Sequence, residues 1–148
     1  MGGPMEIIGF DHIYIAVSDM AQAERFYDGV FLNLGFRRNQ FAIGGDPHIQ
    51  YYNRHFGYVI RPARVERSHD SYAPGLHHLC LRTDTAEDVH ACANALRAAG
   101  VQVSDPKLFP EYAEDYVAIF FNDPDGMRLE ITNYRKERRE RNEKWSEA

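Results

Sequence analysis

Three side chains in this sequence have the types and the placement to hold a divalent metal ion: His12, His78 and Glu130. Each lies in a short stretch where apolar and polar residues alternate: FDHIYIAV, HHLCLR and MRLEIT. Alternation at a period of two predicts strands, with successive side chains on opposite faces. One face of each strand is apolar: Ile13, Ile15 and Val17 in the first, Leu79 and Leu81 in the second, Met127, Leu129 and Ile131 in the third. His12, His78 and Glu130 fall on the other face. Two neutral imidazoles and a carboxylate suit Fe2+, Mn2+, Zn2+ or Ni2+ and leave positions open for substrate and water. A metal so held polarises a bound oxygen or supplies a nucleophile. Taken singly, a strand histidine is more often structural and a strand glutamate more often a surface group. The common side shared by all three carries the expectation.

The same parity separates two adjacent histidines. His77 shares its face with Leu79 and Leu81, whereas His78 shares its face with Cys80 and Arg82. His78 is therefore the ligand candidate, and His77 a packed or hydrogen-bonded neighbour. His48, His55, His69 and His90 have no metal spacing and are expected at the surface.

The remaining elements are those needed to position the three candidates. Phe10–Val17 reads as a strand. The stretch DMAQAERFYDGV follows, with Asp19 and Gln22 spaced as a capping box and apolar residues at helical spacing, ending near Gly35. Strand candidates lie at 36–40, 49–53 and 57–60, with a loop at Gly44-Gly45-Asp46-Pro47. Residues 62–75 are polar and bounded by prolines, and read as a linker. The pattern then restarts: a strand at 78–82, a capping-box pair Asp84 and Glu87, a helix stripe from Val89 to Ala99, and strand candidates at 101–103, 116–121 and 127–132. Asn122-Asp123-Pro124-Asp125-Gly126 is a strong turn signal. The order β-α-β-β-β occurs twice, and His12 maps onto His78 at an offset of roughly 66 residues. A duplicated unit predicts two similar half-sheets curved around a shared cleft. The charged tail after Asn133, RKERRERNEKWSEA, is expected to be a solvated helix or a frayed end.

Bulk properties exclude several classes. The chain has 148 residues, 44% apolar and 26% charged, which is the balance of one globular domain. The net charge of −5 argues against a nucleic-acid footprint. No apolar run is long enough to span a membrane. The start MGGPMEIIGF lacks a basic region followed by an apolar stretch, so no signal peptide is expected. Cys80 and Cys92 form no CxxC pair and are expected as free thiols in a reducing cytoplasm.

The phrases FDHIYIAVSDMAQAERFYDGVFLNLGF, GLHHLCLRTD and FFNDPDGMRLEIT together resemble the vicinal oxygen chelate superfamily, the group of glyoxalases, bleomycin resistance proteins and extradiol dioxygenases. The resemblance runs from about Ile7 to Asn133. It implies an α+β fold of two βαβββ modules, about 7–61 and 76–133, forming an incomplete barrel in one domain with the tail at 134–148. It implies that His12, His78 and Glu130 are metal ligands, and that Glu130 also takes part in proton exchange. Aligning Gly57 with Gly126 puts Arg61 opposite Glu130. A cation cannot ligate a metal, so the chain departs from the four-ligand glyoxalase I pattern. Gln50 and Tyr58 stay open as contacts there. Arg61, Arg82 and Arg128 are candidates for binding a substrate carboxylate or phosphonate; Tyr14, Tyr112 and Tyr116 are candidates for lining the pocket. The bland readings of these residues are salt bridges and aromatic packing.

The resemblance implies an enzyme that chelates a small oxygenated substrate on its metal, of lyase, isomerase or thiol transferase type. An extradiol Fe2+ dioxygenase and a metal-free antibiotic-binding protein are the alternatives. It also implies a homodimer, in which His12 of one subunit can complete a site with His78 and Glu130 of the other.

Overall fold

The alternation in FDHIYIAV becomes strand β1 (His12–Val17), whose Ile13 and Ile15 turn toward the core. The computed structural model describes residues 3–147. Helix α1 (Met20–Phe31) follows, capped by the Asp19 side chain, which accepts from the Gln22 amide. Strands β2 (Arg37–Ile43), β3 (Asp46–Tyr52) and β4 (Gly57–Pro62) complete the first unit. The second unit has strand β5 (His78–Thr83), helix α2 (Ala86–Ala98) and strands β6 (Lys107–Leu108), β7 (Val117–Asn122) and β8 (Arg128–Asn133). Helix α3 (Lys136–Glu143) and a 3-10 turn (Trp145–Glu147) follow.

Each unit builds its own open four-stranded sheet, in the orders β1-β4-β3-β2 and β5-β8-β7-β6. β1 runs parallel to β4 and β5 parallel to β8; the other pairs are antiparallel. A helix connects β1 to β2 and β5 to β6, which carries the chain across the sheet as a parallel pair requires. In both units the turn after the helix ends on a glycine, Gly35 and Gly100, each with φ of 85°. That left-handed backbone is open to glycine at little steric cost and closes the helix.

One core serves both units. Tyr27, Val30 and Phe31 of α1 join Val89, Ala93 and Leu96 of α2, with Tyr51, Tyr58, Ile60, Ile119, Leu129 and Ile131 from the sheets. A buried hydrogen-bond chain ties the units together. Tyr58 donates to the Tyr27 hydroxyl at 2.9 Å, and Tyr27 donates to Asp123 Oδ2 at 2.8 Å. Asp123 Oδ1 also accepts from the amides of Asp125 and Met127, so it folds its own turn while receiving Tyr27. Ser18, at the end of β1, donates its amide and hydroxyl to Asp125 in that turn.

Several local expectations shift. The second capping box is Thr85 and Asp88, one residue later than Asp84 and Glu87; each side chain accepts from the other's amide. Residues 101–103 form no strand, and the short edge strand is Lys107–Leu108 instead. Asp46 and Pro47 belong to β3, so the loop is the tight Gly44-Gly45 turn of a hairpin. His48 is 2% exposed rather than on the surface, stacked on Phe41 with its Nδ1 against the Asp46 carbonyl. The tail is a helix whose first residues dock: Arg135 is buried over the Tyr116 ring and the Lys136 amide donates to Asp115. Among the described residues, no helix is long and apolar enough to cross a membrane.

Candidate functional site

Strand parity places His78, Cys80 and Arg82 on the exposed face of β5, while Leu79 and Leu81 pack on the core. β8 pairs in parallel with β5, with Cys80 beside Glu130. The Glu130 side chain is only 5% exposed, so its carboxylate needs partners to offset lost hydration. It has them. Tyr116 donates its hydroxyl to Glu130 Oε2 at 2.5 Å, and Oε1 lies 3.2 Å from His78 Nε2. Burial, and then the Glu130 carboxylate, push the Tyr116 phenol above its ordinary range, which keeps it the donor. Burial and the same carboxylate push the Cys80 thiol up to about 12. Although Cys80 lies on the exposed face, its sulfur stays a neutral thiol near pH 7, unsuited to nucleophilic attack or unassisted ligation.

The residue before each histidine holds its other ring nitrogen. His77 Nδ1 lies 2.8 Å from His78 Nδ1. Asp11 Oδ2 lies 2.6 Å from His12 Nδ1. A carboxylate only accepts, so His12 Nδ1 donates and a neutral His12 keeps its lone pair on Nε2. When His78 Nδ1 is the donor to His77 Nδ1, a neutral His78 likewise keeps its lone pair on Nε2 for a ligand. Fixing the tautomer through the far nitrogen is how proteins prepare an imidazole for a metal. His77 itself is exposed, edge-on to Tyr72 at 5.0 Å, rather than packed.

The donor pair His78 and Glu130 fits a divalent ion. Ligand atoms each about 2.1 Å from one ion and roughly at right angles stand about 3 Å apart, close to the 3.2 Å seen here. His12 does not join them within one chain. Among the described residues, no three His, Cys, Asp or Glu side chains cluster closely enough to hold a metal ion. The reason lies in the core. Both sheets bury their apolar faces against the shared helices, so the His12 face and the His78 face each turn away from it. β1 and β5 are also edge strands of separate sheets. The cleft expected between two half-sheets is instead a groove of about 980 Å3, touched by His12 on one side and by Cys80, Arg82, Tyr116 and Arg138 on the other.

The other candidates separate clearly. The ladder pairs Tyr14 with Val59 just as it pairs Cys80 with Glu130. Val59, not Arg61, is thus the counterpart of Glu130, two residues from the position given by aligning glycines. Arg61 matches Thr132 and is committed to Asp46 Oδ2 at 2.6 Å. Tyr58 points into the core, and Gln50 bonds to Asn39. Tyr14 stands edge-on between His12 and His48. Arg128 lies 4.3 Å over the Phe120 ring, beside His78 in the ladder. Tyr112 is exposed, stacked on Phe109 and edge-on to Tyr116. Arg82 lies 4.1 Å over the Tyr134 ring and lines the groove. Asp11, Arg135 and Arg138 had no sequence reading of their own. Arg135 lies over the Tyr116 ring, and Arg82 and Arg139 lie over Tyr134, so the aromatic residues next to these arginines are the signal that was there to read.

The fold and the paired strands define a family. Residues 9–131 match the Glyoxalase/Bleomycin resistance protein/Dioxygenase superfamily, and the chain belongs to it. The chain is 27% identical over 134 residues to "Virulence protein STM3117" of Salmonella typhimurium, covering 88% of this chain and 87% of the relative. Among solved structures, a glyoxylase/bleomycin resistance protein/dioxygenase domain from Frankia superposes with a TM-score of 0.71 at 19% identity, covering 88% of this chain and all of that one. TnmS3, an antibiotic-binding protein from Streptomyces, superposes with a TM-score of 0.61 at 23% identity, covering 89% of this chain and all of that one. These two likenesses establish the shared α+β architecture of paired, unclosed four-stranded sheets.

Proposed function

We propose that this protein is a divalent-metal-dependent, glyoxalase-like enzyme of the cytoplasm. It acts on a small oxygenated substrate whose neighbouring oxygens chelate the metal, in a reaction of lyase, isomerase or thiol transferase type. The observation that carries the reading is the 3.2 Å spacing of His78 Nε2 and Glu130 Oε1 on adjacent strands. His12 is the third ligand and comes from the partner subunit of a homodimer, with its Nε2 left available by the Asp11 bond. The single domain is thus built to share its site.

When bound, the metal supplies Lewis-acid stabilisation of a developing oxyanion. The chain's own residues do the rest. Glu130 holds or moves a proton at the reacting carbon or oxygen, and Tyr116 donates to its second oxygen to set the carboxylate's orientation. His77 and Asp11 orient the two imidazoles. Arg128 and Arg82, on the same face, supply positive charge for an anionic substrate. A metal-free ligand-binding role is the second reading, favoured by the separation of His12 from the His78–Glu130 pair: among the described residues of one chain, no three His, Cys, Asp or Glu side chains cluster to hold a metal ion.

The test is metal content of tag-free protein, followed by subunit mixing. Wild type is expected to hold a stoichiometric divalent ion, and His12→Ala, His78→Ala and Glu130→Ala to lose it, each by more than about 100-fold in affinity. A mixed dimer of His12→Ala and Glu130→Ala chains has one wild-type site if the ligands come from two subunits, and recovers half the metal. No recovery overturns the shared site. Equal metal in wild type and all three variants overturns the enzyme reading and leaves the binding protein.

A further inference from the structure

A knot of unpaired arginines adjoins the groove. Arg82, Tyr134 and Arg138 line both the groove and a second pocket of about 400 Å3, which Arg141, Asn142 and Trp145 complete together with Glu6. Two neighbouring guanidiniums are spoken for: Arg139 pairs with Asp84 at 2.5 Å, and Arg135 with Glu137 at 3.2 Å. Arg82, Arg138 and Arg141 have no carboxylate within ion-pairing distance among the described residues, in a chain whose net charge is −5. Arg82 lies 4.1 Å over the Tyr134 ring, which restrains its fork.

The position of the knot makes it costlier still. Arg135 is the N-cap of α3, and Lys136, Arg138 and Arg139 lie in its first turn. The N-terminal end of a helix carries partial positive charge and favours anions, so cations there are unfavourable. Burial, and then repulsion from Arg141, Arg82 and Arg135, hold the Arg138 guanidinium below its ordinary range. An oxyanion placed among these groups relieves both the mutual repulsion and the helix-end conflict, with forked donors that match it.

We propose that the junction of the groove and the smaller pocket binds the phosphate or phosphonate group of a small molecule through Arg82 and Arg138. A dianion suits three guanidiniums without ion pairs, beside one carboxylate, Glu6, better than a singly charged carboxylate does. The inference rests on the reading of the His78–Glu130 face as the reaction site, because Arg82 lies on the same face of β5. It lies four positions beyond His78, roughly 13 Å along a strand. The substrate class is then a molecule with vicinal oxygens at one end and a phosphoryl-type anion at the other.

Trp145 is the single tryptophan and lines the smaller pocket, so its fluorescence reports on the site. The experiment titrates inorganic phosphate into chelator-treated full-length protein at constant ionic strength, with sodium acetate and sodium chloride as parallel arms. Saturable change with phosphate is expected, weakened about tenfold or more in Arg138→Gln and in Arg82→Gln. Arg138→Lys is expected to fall between, and Arg37→Gln, on β2, to match wild type. Circular dichroism confirms that the variants are folded. An equal response to chloride, no saturation, or unchanged affinity in both glutamine variants overturns the site. A stronger response to acetate than to phosphate replaces the phosphoryl assignment with a carboxylate. Metal content measured on the same preparations before chelator treatment separates the two ideas: phosphate binding without any metal site leaves this proposal standing and removes the enzyme reading, and the reverse result does the opposite.

Discussion

The two βαβββ units share a scaffold and differ in what their open faces hold. In the first, the polar groups opposite the core are already satisfied. Arg61 and Arg64 clamp Asp46, at 2.6 and 3.0 Å, and hold its carboxyl below the usual range. Tyr14, Phe41 and His48 pack on one another, and Val59 fills the place that Glu130 takes in the second unit. His12 there is oriented by Asp11, 2.6 Å from its Nδ1. In the second unit the face keeps its chemistry: a buried carboxylate, a phenol donating to it, an imidazole beside it and arginines without counterions. The two units share strand order, helix closure and core; packed and ion-paired side chains fill the open face of the first, and the open face of the second carries the proposed site.

That contrast can be broken by base before anything else. The first unit holds Tyr27, Tyr51 and Tyr58, fully buried, and burial pushes each phenol well above its ordinary value. A pKa raised by folding stabilises the protein below the unfolded value and loses that contribution as pH rises past it. Stability is therefore expected to begin falling above about pH 8.5, where unfolding frees the Cys80 thiol to ionise, and to fall more steeply above about pH 10, by up to about 1.4 kcal/mol per pH unit for each phenol. Denaturant unfolding across pH 8–11 measures it, and a flat profile contradicts the burial of this cluster.

A pair of tyrosine variants sharpens the contrast. Tyr27→Phe removes the donor to buried Asp123 and is expected to cost about 1–3 kcal/mol, with metal content unchanged. Tyr116→Phe removes the donor to Glu130 and is expected to lower metal affinity about 10–100-fold, with a smaller stability loss. Similar behaviour of the two in both assays would erase the distinction between a structural and a functional phenol. The smallest effect belongs to Arg61→Gln, which breaks an ion pair worth no more than about 1 kcal/mol and is expected to leave metal and phosphate binding as in wild type. A loss of either would return Arg61 to the site.

Local periodicity made much of this legible. The alternation in HHLCLR separates His78 from His77 without any knowledge of neighbouring strands, because side-chain direction in a strand is a local property. NDPDG gave the turn for the same reason. Pairing register is not local. Arg61 was set opposite Glu130 by matching glycines, but the ladder starting at His12 and Gly57 puts Val59 there. His48 was placed at the surface because nothing in its neighbours in sequence shows Tyr14 and Phe41 closing over it. The alternating charges of the tail read as a solvated helix, and α3 has no buried residue; only its cap, Arg135, is buried, over the Tyr116 ring, a contact that the local pattern does not show. Whether the open faces of the two sheets meet depends on how the helices pack, which is the least local feature of all.

The bond from Tyr27 to Asp123 also limits how this sequence can recombine. Residues 62–75 look like a natural crossover point, since exchange there would pass on each unit whole. Yet Tyr27 and Ser18 lie before it, and Asp123 and Asp125 after it. A chimera joined at that point inherits half of each lock, and must draw both halves from parents that carry the same pair.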